Sequence, residues 1–277
     1  LKFGTDGIRG PVESVITPEA CLKIGHATGI VMKEIGWNTV VIGKDTRISG
    51  YMLESALQAG FIAAGVNVQL AGPLPTPGIA YLTKTLRNKS GVVISASHND
   101  FLDNGIKIFN DNGEKISRDI EKRIEKYISS DLNPVETSKI GKAYRFDESG
   151  PRYIEFCKST VPSDISFASL RIVLDCANGA CYKVSPEIFQ ELGAEVITIG
   201  INPDGYNINQ ECGSTYPELI QKEVIKHRAD YGISLDGDGD RVILVDEKGN
   251  ILDGDDLLYI LAFSNPNRTG SWSGVVG

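Results

Sequence analysis

Two methionines, two tryptophans and three histidines are all that the 277 residues contain. No apolar run approaches the roughly 18 residues that a membrane span needs, and no signal-peptide pattern opens the chain. Positive charge is in deficit: 28 Lys and Arg against 36 Asp and Glu give a net charge of −8. Duplex binding depends on neutralising phosphates with basic side chains, so nucleic acid is excluded as the main partner. A local basic pocket for a small phosphorylated ligand is not. Cysteine is sparse and odd in number (Cys21, Cys157, Cys176, Cys181, Cys212), without a CxxC pair or a nearby histidine to complete a zinc site. The five read as small buried thiols in a reducing compartment, and the protein as soluble and cytoplasmic. The Gly-x-Ser-x-Gly nucleophile elbow is also missing.

What is present is apolar periodicity. Hydrophobic residues make up 41% and charged residues 23%, enough for two cores and part of a third, and too apolar for disorder. Strand-like and helix-like segments alternate, the signature of α/β layers around mostly parallel sheets. Thr17-Pro18 opens a helix; Thr39 to Ile42 is a strand ending in Gly43-Lys44-Asp45; Ser49 is the expected cap of the next helix. Val66 to Leu70, a helix after Pro77, Val92 to Ile94 and Gly105 to Phe109 follow, then a tight turn at Asn112-Gly113. Ile116, Ile120, Ile124 and Ile128 form one stripe of an amphipathic helix.

The pattern breaks around Asp147 to Arg152, which places a boundary there. The expected division is a first domain over 1–150, a second over 151–252 and the start of an incomplete third over 253–277. The second holds helix 153–159, strand Arg171 to Leu174, a helix after Ser185, strand Val196 to Ile199, helix Pro217 to His227, strand Tyr231 to Leu235 and a hairpin turning at Lys248-Gly249-Asn250. A helix starts at Asp255-Asp256, and Val275-Val276-Gly277 resembles the opening of another strand. With Val40-Val41-Ile42 and Ile172-Val173-Leu174, that ending hints at one recurring α/β unit.

Three stretches carry chemistry. In Asp236-Gly237-Asp238-Gly239-Asp240-Arg241, three carboxylates alternate with glycines directly after an apolar strand. So dense a cluster repels itself unless a cation neutralises it, and hard oxygen ligands favour Mg²⁺, then Ca²⁺. An EF-hand loop needs glycine where Arg241 stands. An aspartyl-phosphate enzyme with Asp236 as nucleophile and a solvated acidic turn are the other readings. The second stretch, Ile94-Ser95-Ala96-Ser97-His98-Asn99, sits at the carboxyl edge of a strand, where α/β proteins bind ligands. Alone it fits a nucleophile loop or a plain polar loop. The third group is basic: Arg9, Lys44, Arg47 and Lys107, near glycines after strands, suits phosphate contact or a solvated surface.

Phe3 to Gly10, Gly43 to Gly50, Ser95 to Asn99 and Asp236 to Arg241 occur in this order and together resemble the motif set of the α-D-phosphohexomutase superfamily. Phe-Gly-Thr-Asp-Gly-Ile-Arg-Gly with Ser-Ala-Ser-His-Asn looks more like its phosphoglucosamine mutase branch than its phosphomannomutase/phosphoglucomutase branch; Tyr153 to Lys158 and Asn207-Ile208-Asn209 strengthen that. The resemblance implies repeated α/β/α domains, with the first two complete and the third only begun. It implies that Ser97 is a phosphoserine, and that Asp236, Asp238 and Asp240 hold Mg²⁺ with an oxygen of that phosphoserine. It further implies that Arg9 and Arg241 neutralise phosphate, and that Lys107, then His98, moves the proton of the sugar oxygen. The substrate would be glucosamine 6-phosphate, turned into glucosamine 1-phosphate through a bisphosphate for UDP-N-acetylglucosamine and the cell wall, in a possible homodimer. A phosphomannomutase/phosphoglucomutase or a non-catalytic phosphosugar- or metal-binding module is the alternative. Two departures stand out: the family's proline after Ser-His-Asn is Asp100 here, and its sugar-recognition loop and later phosphate-binding loop are absent. Residues 1–277 are therefore expected to fold and bind Mg²⁺ while turning over little substrate, with the stretch after about Asp255 the least ordered.

Overall fold

A computed structural model describes residues 1–86 and 89–263. In chain order the elements are β1 (Ile8–Pro11), α1 (Pro18–Glu34), β2 (Thr39–Lys44), α2 (Ser49–Ala63), β3 (Asn67–Pro73), α3 (Thr76–Thr85), β4 (Lys89–Ile94), β5 (Asp103–Phe109), α4 (Arg118–Ile128) and β6 (Ala143–Arg145). They continue as α5 (Ser149–Ser159), β7 (Arg171–Asp175), α6 (Val184–Glu191), β8 (Glu195–Ile199), α7 (Pro217–His227), β9 (Tyr231–Leu235), β10 (Val242–Asp246), β11 (Ile251–Leu252) and α8 (Gly254–Phe263).

Two mixed sheets result. The first runs β1-β5-β4-β2-β3-β6, the second β11-β10-β9-β7-β8. Both contain a run of three parallel strands in the spatial order third, first, second (β4-β2-β3 and β9-β7-β8), and the first sheet adds a fourth, β6, beside β3. The third strand of each run is flanked by an antiparallel strand, β5 beside β4 and β10 beside β9. That shared order supports the recurring unit for Val40–Ile42 and Ile172–Leu174; Val275 to Gly277 lies outside the described residues.

The period-two side-chain alternation of strands explains the layers. Val40 and Ile42 face a core built with Ile24, Val31, Leu57, Phe61 and Ile124, under α1, α2 and α4. Val41, between them, faces Leu74, Ile79, Leu82, Ile154 and Val184, under α3, α5 and the start of α6. All three are fully buried, as strands covered on both faces must be. The second sheet packs Val173 on α7 through Ile220 and Val224, and Leu174 toward Phe189 of α6.

Local signals set most helix starts. Thr17 accepts from the Ala20 N–H at 3.2 Å with Pro18 behind it, and Pro217 opens α7. Ser49 is not a cap: it is the first residue of α2, and its hydroxyl accepts from Asn104 Nδ2 at 2.9 Å. α5 begins at Ser149, four residues before the expected start, because Pro151 is tolerated in a first turn that needs no N–H donor there. β1 and β6 are too short to show a period in the sequence and are fixed by pairing with β5 and β3.

The carboxyl ends of the parallel strands in the two sheets face each other. Corresponding loops touch: Thr46, after β2, donates to the Asn178 carbonyl, after β7, at 2.5 Å, and Ser97, after β4, meets Asp236, after β9. The facing loops form the candidate site.

Candidate active site

Ser97 is buried and its backbone is left-handed, at φ 53°. For a non-glycine residue that conformation is unfavourable, and the surroundings must hold it. The Ser97 N–H donates to Ser95 Oγ at 2.9 Å, and Ser95 Oγ donates to Asp45 Oδ2 at 2.6 Å. Asp45 is fully buried and paired with the Arg47 guanidinium, Nε to Oδ2 at 2.8 Å. Burial pushes the Asp45 carboxyl up, against the pull of Arg47.

Arg47 is the correction among the basic candidates. It does not present itself to phosphate: it is 1% exposed, and its remaining N–H groups donate to the carbonyls of Ser97 at 3.0 Å, Asn99 at 2.8 Å, Asp103 at 3.2 Å, and Asp100. Lys44 likewise is tied to Glu54 at 2.7 Å. Replacing Arg47 with methionine leaves Asp45 buried without its cation. Breaking such a pair typically costs about 3–5 kcal/mol, and denaturant titration of the variant is expected to show a loss of that order.

Ser97 Oγ donates to Asp236 Oδ2 at 2.5 Å and lies 3.4 Å from Asp240 Oδ1. The Asp236, Asp238 and Asp240 carboxylates offer oxygens within 4.8 Å of one another. Gly239 makes this turn possible through a left-handed φ of 67°, where a Cβ would strike Cys181 Sγ at 2.4 Å. At Gly237 a Cβ would lie 2.6 Å from the Ser97 carbonyl, so only glycine lets the two loops approach. Asp236 Oδ1 accepts the N–H groups of Asp240 and Arg241 at 3.1 and 3.2 Å. Burial, then the Asp238 charge, raises the Asp236 carboxyl to about 6. Asp238 Oδ2 accepts from Thr76 Oγ1 at 2.5 Å, while its buried Oδ1 has no partner among the described residues. A buried carboxylate oxygen with no donor, beside two more carboxylates, is the environment a hard divalent cation satisfies. The residues present fit Mg²⁺.

Lys107, from β5, is 5% exposed and bridges the triplet: Nζ is 2.9 Å from both Asp238 Oδ2 and Asp240 Oδ2, and 3.3 Å from Asp6 Oδ2. Burial would lower its pKa, but Asp238 and Asp240 outweigh burial and hold it above the usual lysine range. Arg9, on β1 beside β5, reaches the cluster through Asp6 at 2.6 Å. His98 has its pKa lowered by burial and by Arg241 and Arg9, and its buried Nδ1 has no partner among the described residues. The Arg241 side chain is 55% exposed, 4.0 Å from Asp240. Two further members, Thr76 and Asp45, carry no signal at the level of sequence. A lone threonine before a proline and an aspartate inside a basic motif carry no pattern that pairing would require.

Asp100 is exposed, and its carboxylate accepts from the Leu102 N–H at 2.9 Å in a local turn. Proline there would lose that bond, keep the carbonyl that Arg47 holds, and stiffen the loop. Asp100→Pro is expected to change stability by less than about 1 kcal/mol. A thermal melt shifted down by more than ten degrees would show that the local turn matters more than this.

The chain is similar in sequence and in fold to known proteins. Residues 1–134 match the family description "Phosphoglucomutase/phosphomannomutase, alpha/beta/alpha domain I", and residues 151–249 match domain II of the same family. Among curated relatives, phosphoglucosamine mutase of Legionella pneumophila strain Lens is 59% identical over 276 residues, 99% of this chain and 61% of its own length. That of Hahella chejuensis is 56% identical, with 62% of its length covered. The chain thus spans about 61% of the length of the first of these relatives. Among solved structures, a phosphoglucomutase/phosphomannomutase family protein from Burkholderia thailandensis superposes with a TM-score of 0.82 at 28% identity, covering 94% of this chain and 57% of that one. The open form of a Paramecium phosphoglucomutase, parafusin, shares the fold with a TM-score of 0.73 at 16% identity over 95% of this chain and 56% of its own. Two α/β/α units with facing loops, a buried serine against three aspartates, and both domain matches agree. The chain belongs to the phosphoglucomutase/phosphomannomutase family.

Proposed function

We propose that the intact protein is a phosphoglucosamine mutase, interconverting glucosamine 6-phosphate and glucosamine 1-phosphate through a phosphoserine at Ser97. The observation that carries this reading is the contact of Ser97 Oγ with Asp236 Oδ2 at 2.5 Å, across 139 residues of sequence, beside the unpartnered oxygen of Asp238. The identity of the curated relatives supports the choice of sugar.

Asp236, Asp238 and Asp240 would hold Mg²⁺, which would neutralise charge on the transferring phosphoryl group. In the first transfer the Ser97 Oγ–P bond breaks as a bond forms from phosphorus to the free O1 of glucosamine 6-phosphate. Lys107, an ammonium beside Asp238 and Asp240, gives a proton to the departing Ser97 Oγ and takes the O1 proton in its place. The bisphosphate then turns end for end, Ser97 Oγ attacks the other phosphorus as the O6–P bond breaks, and Lys107 gives a proton to the departing O6 and takes the Oγ proton. Arg9 and Arg241 face the phosphate oxygens, and His98 is the second proton carrier. Sugar selection and the hold on the non-reacting phosphate would fall to residues beyond the 61% of the first relative's length that this chain spans. The product would feed UDP-N-acetylglucosamine and peptidoglycan synthesis in the cytoplasm, and a homodimer is the proposed assembly. None of the described helices is long and apolar enough to cross a membrane.

The test is an assay of the intact protein with Mg²⁺ and a trace of glucosamine 1,6-bisphosphate. Glucosamine phosphates are expected to turn over at least about tenfold faster, by kcat/KM, than glucose or mannose phosphates, a difference of one 1.4 kcal/mol step in transition-state binding. Faster turnover of a mannose phosphate would reassign the substrate.

A further inference from the structure

We infer that Asn209, on the loop between β8 and α7, is a positioning residue for phosphoryl transfer: together with Arg47 it clamps the Ser97 loop from the opposite side. The inference rests on the reading of Ser97 as the phosphoryl carrier and names what sets that serine's geometry. The Arg47 guanidinium gathers the loop's carbonyls from within the first sheet's unit. The Asn209 side-chain Nδ2 donates to two of the same carbonyls, Ser97 O and Asn99 O, each at 2.9 Å. It comes from the other unit, 112 residues away from Ser97. The Ser97 carbonyl therefore accepts from both units, and it also sits against Gly237 of the carboxylate turn.

Three features show that the amide is placed for this contact. Asn209 has a left-handed φ of 58°, a conformation that asparagine tolerates better than most residues. Its backbone N–H is fixed to the Ala177 carbonyl at 2.9 Å, which aims the side chain. Its Oδ1 is buried with no partner among the described residues, so the side chain gives up one hydrogen bond to make the other two. The two carbonyl acceptors also settle which amide atom is nitrogen. Because Ser97 is held in an unfavourable backbone conformation, removing one side of the clamp lets the loop relax and moves Oγ off the line of transfer. A misplacement of about 1 Å can cost on the order of 10²-fold in rate.

The experiment compares Asn209→Gly, which keeps the left-handed backbone, and Asn209→Asp, which keeps the shape but turns an acceptor toward two carbonyls. Both are made in the intact protein. Two readouts are taken: hydrogen exchange at the amides of residues 97–103, and single-turnover phosphorylation of Ser97 by glucosamine 1,6-bisphosphate, normalised to the sites that finally accept phosphate. Exchange in the loop is expected to rise at least about tenfold in both variants, and the phosphorylation rate to fall about 10–100-fold. KM for the monophosphate and Mg²⁺ affinity should stay within about twofold, since neither substrate nor metal ligands are touched. Unchanged loop exchange overturns the clamp. Faster exchange with an unchanged transfer rate reduces Asn209 to a structural residue and overturns the positioning role. If unaltered protein takes no phosphate at Ser97, the mutase reading fails, while the exchange measurement still decides whether the clamp exists.

Discussion

Replacing Ser97 with alanine is expected to lower mutase turnover of the intact protein by at least about 10³-fold, the scale on which removing a nucleophile acts. Among the described residues, neither neighbouring hydroxyl of the site can take over. Ser95 Oγ is committed to Asp45 while accepting from the Ser97 N–H, and Thr76 Oγ1 is committed to Asp238. Alanine is also poorly suited to φ 53°, and the left-handed form costs an L-residue roughly 1–2 kcal/mol. Ser97→Gly removes the same hydroxyl without that strain. It is expected to lose as much activity while unfolding at or above the temperature of the alanine variant. If the glycine variant recovers turnover, the hydroxyl is not the carrier and the alanine result reports loop strain alone. Mg²⁺ binding should survive in both, because all three carboxylates remain.

Asp238→Asn is expected to weaken Mg²⁺ binding by at least about 10²-fold, more than the 10–100-fold typical of residues merely behind the ligands. Asp238 is fully buried, and its two oxygens differ: one accepts from Lys107 and Thr76, the other accepts from nothing among the described residues. Asparagine has the same size but carries no charge, and its NH₂ group cannot ligate a cation. Whichever way the amide turns, either the Lys107–Thr76 side or the cation side receives a donor where it needs an acceptor. Chelation of the metal should silence unaltered protein, and excess Mg²⁺ should restore it. Glu247→Gln, at an exposed position after β10, is the control and should bind Mg²⁺ as before. Calorimetry showing unchanged affinity for Asp238→Asn would move the metal elsewhere.

The sequence made the carboxylate triplet and the serine visible because each sits at the end of a strand whose apolar run is unmistakable, Tyr231 to Leu235 and Val92 to Ile94. The α/β alternation came from the same source, since strands buried on both faces show up as continuous β-branched runs. What one-dimensional pattern could not show is that the two loops meet, which depends on how two sheets face each other. Resemblance to a family supplied that link. Arg47 shows the limit most clearly. Glycine and basic residues after a strand suit phosphate, but Arg47 is turned inward because Asp45, two residues away, is buried and must be neutralised. Asn209 was legible only as part of a branch-specific triplet, because its work is done on carbonyls, which every residue has. β1 and β6, four and three residues long, leave no period to read. Ser49 failed as a cap because Asn104, 55 positions later, donates to its hydroxyl, a partner no local rule contains.

The role proposed for Ser97, carrying the phosphoryl group between sugar phosphates, can be tested on the intact protein. Intact protein with Mg²⁺ is incubated with glucosamine 1,6-bisphosphate, digested, and its peptides are sequenced by mass spectrometry before and after a chase with glucosamine 6-phosphate. One phosphate per chain on Ser97, discharged by the chase with stoichiometric formation of bisphosphate, is the predicted result. Phosphate found only at other residues, or a phosphate on Ser97 that the sugar cannot remove, would contradict the account.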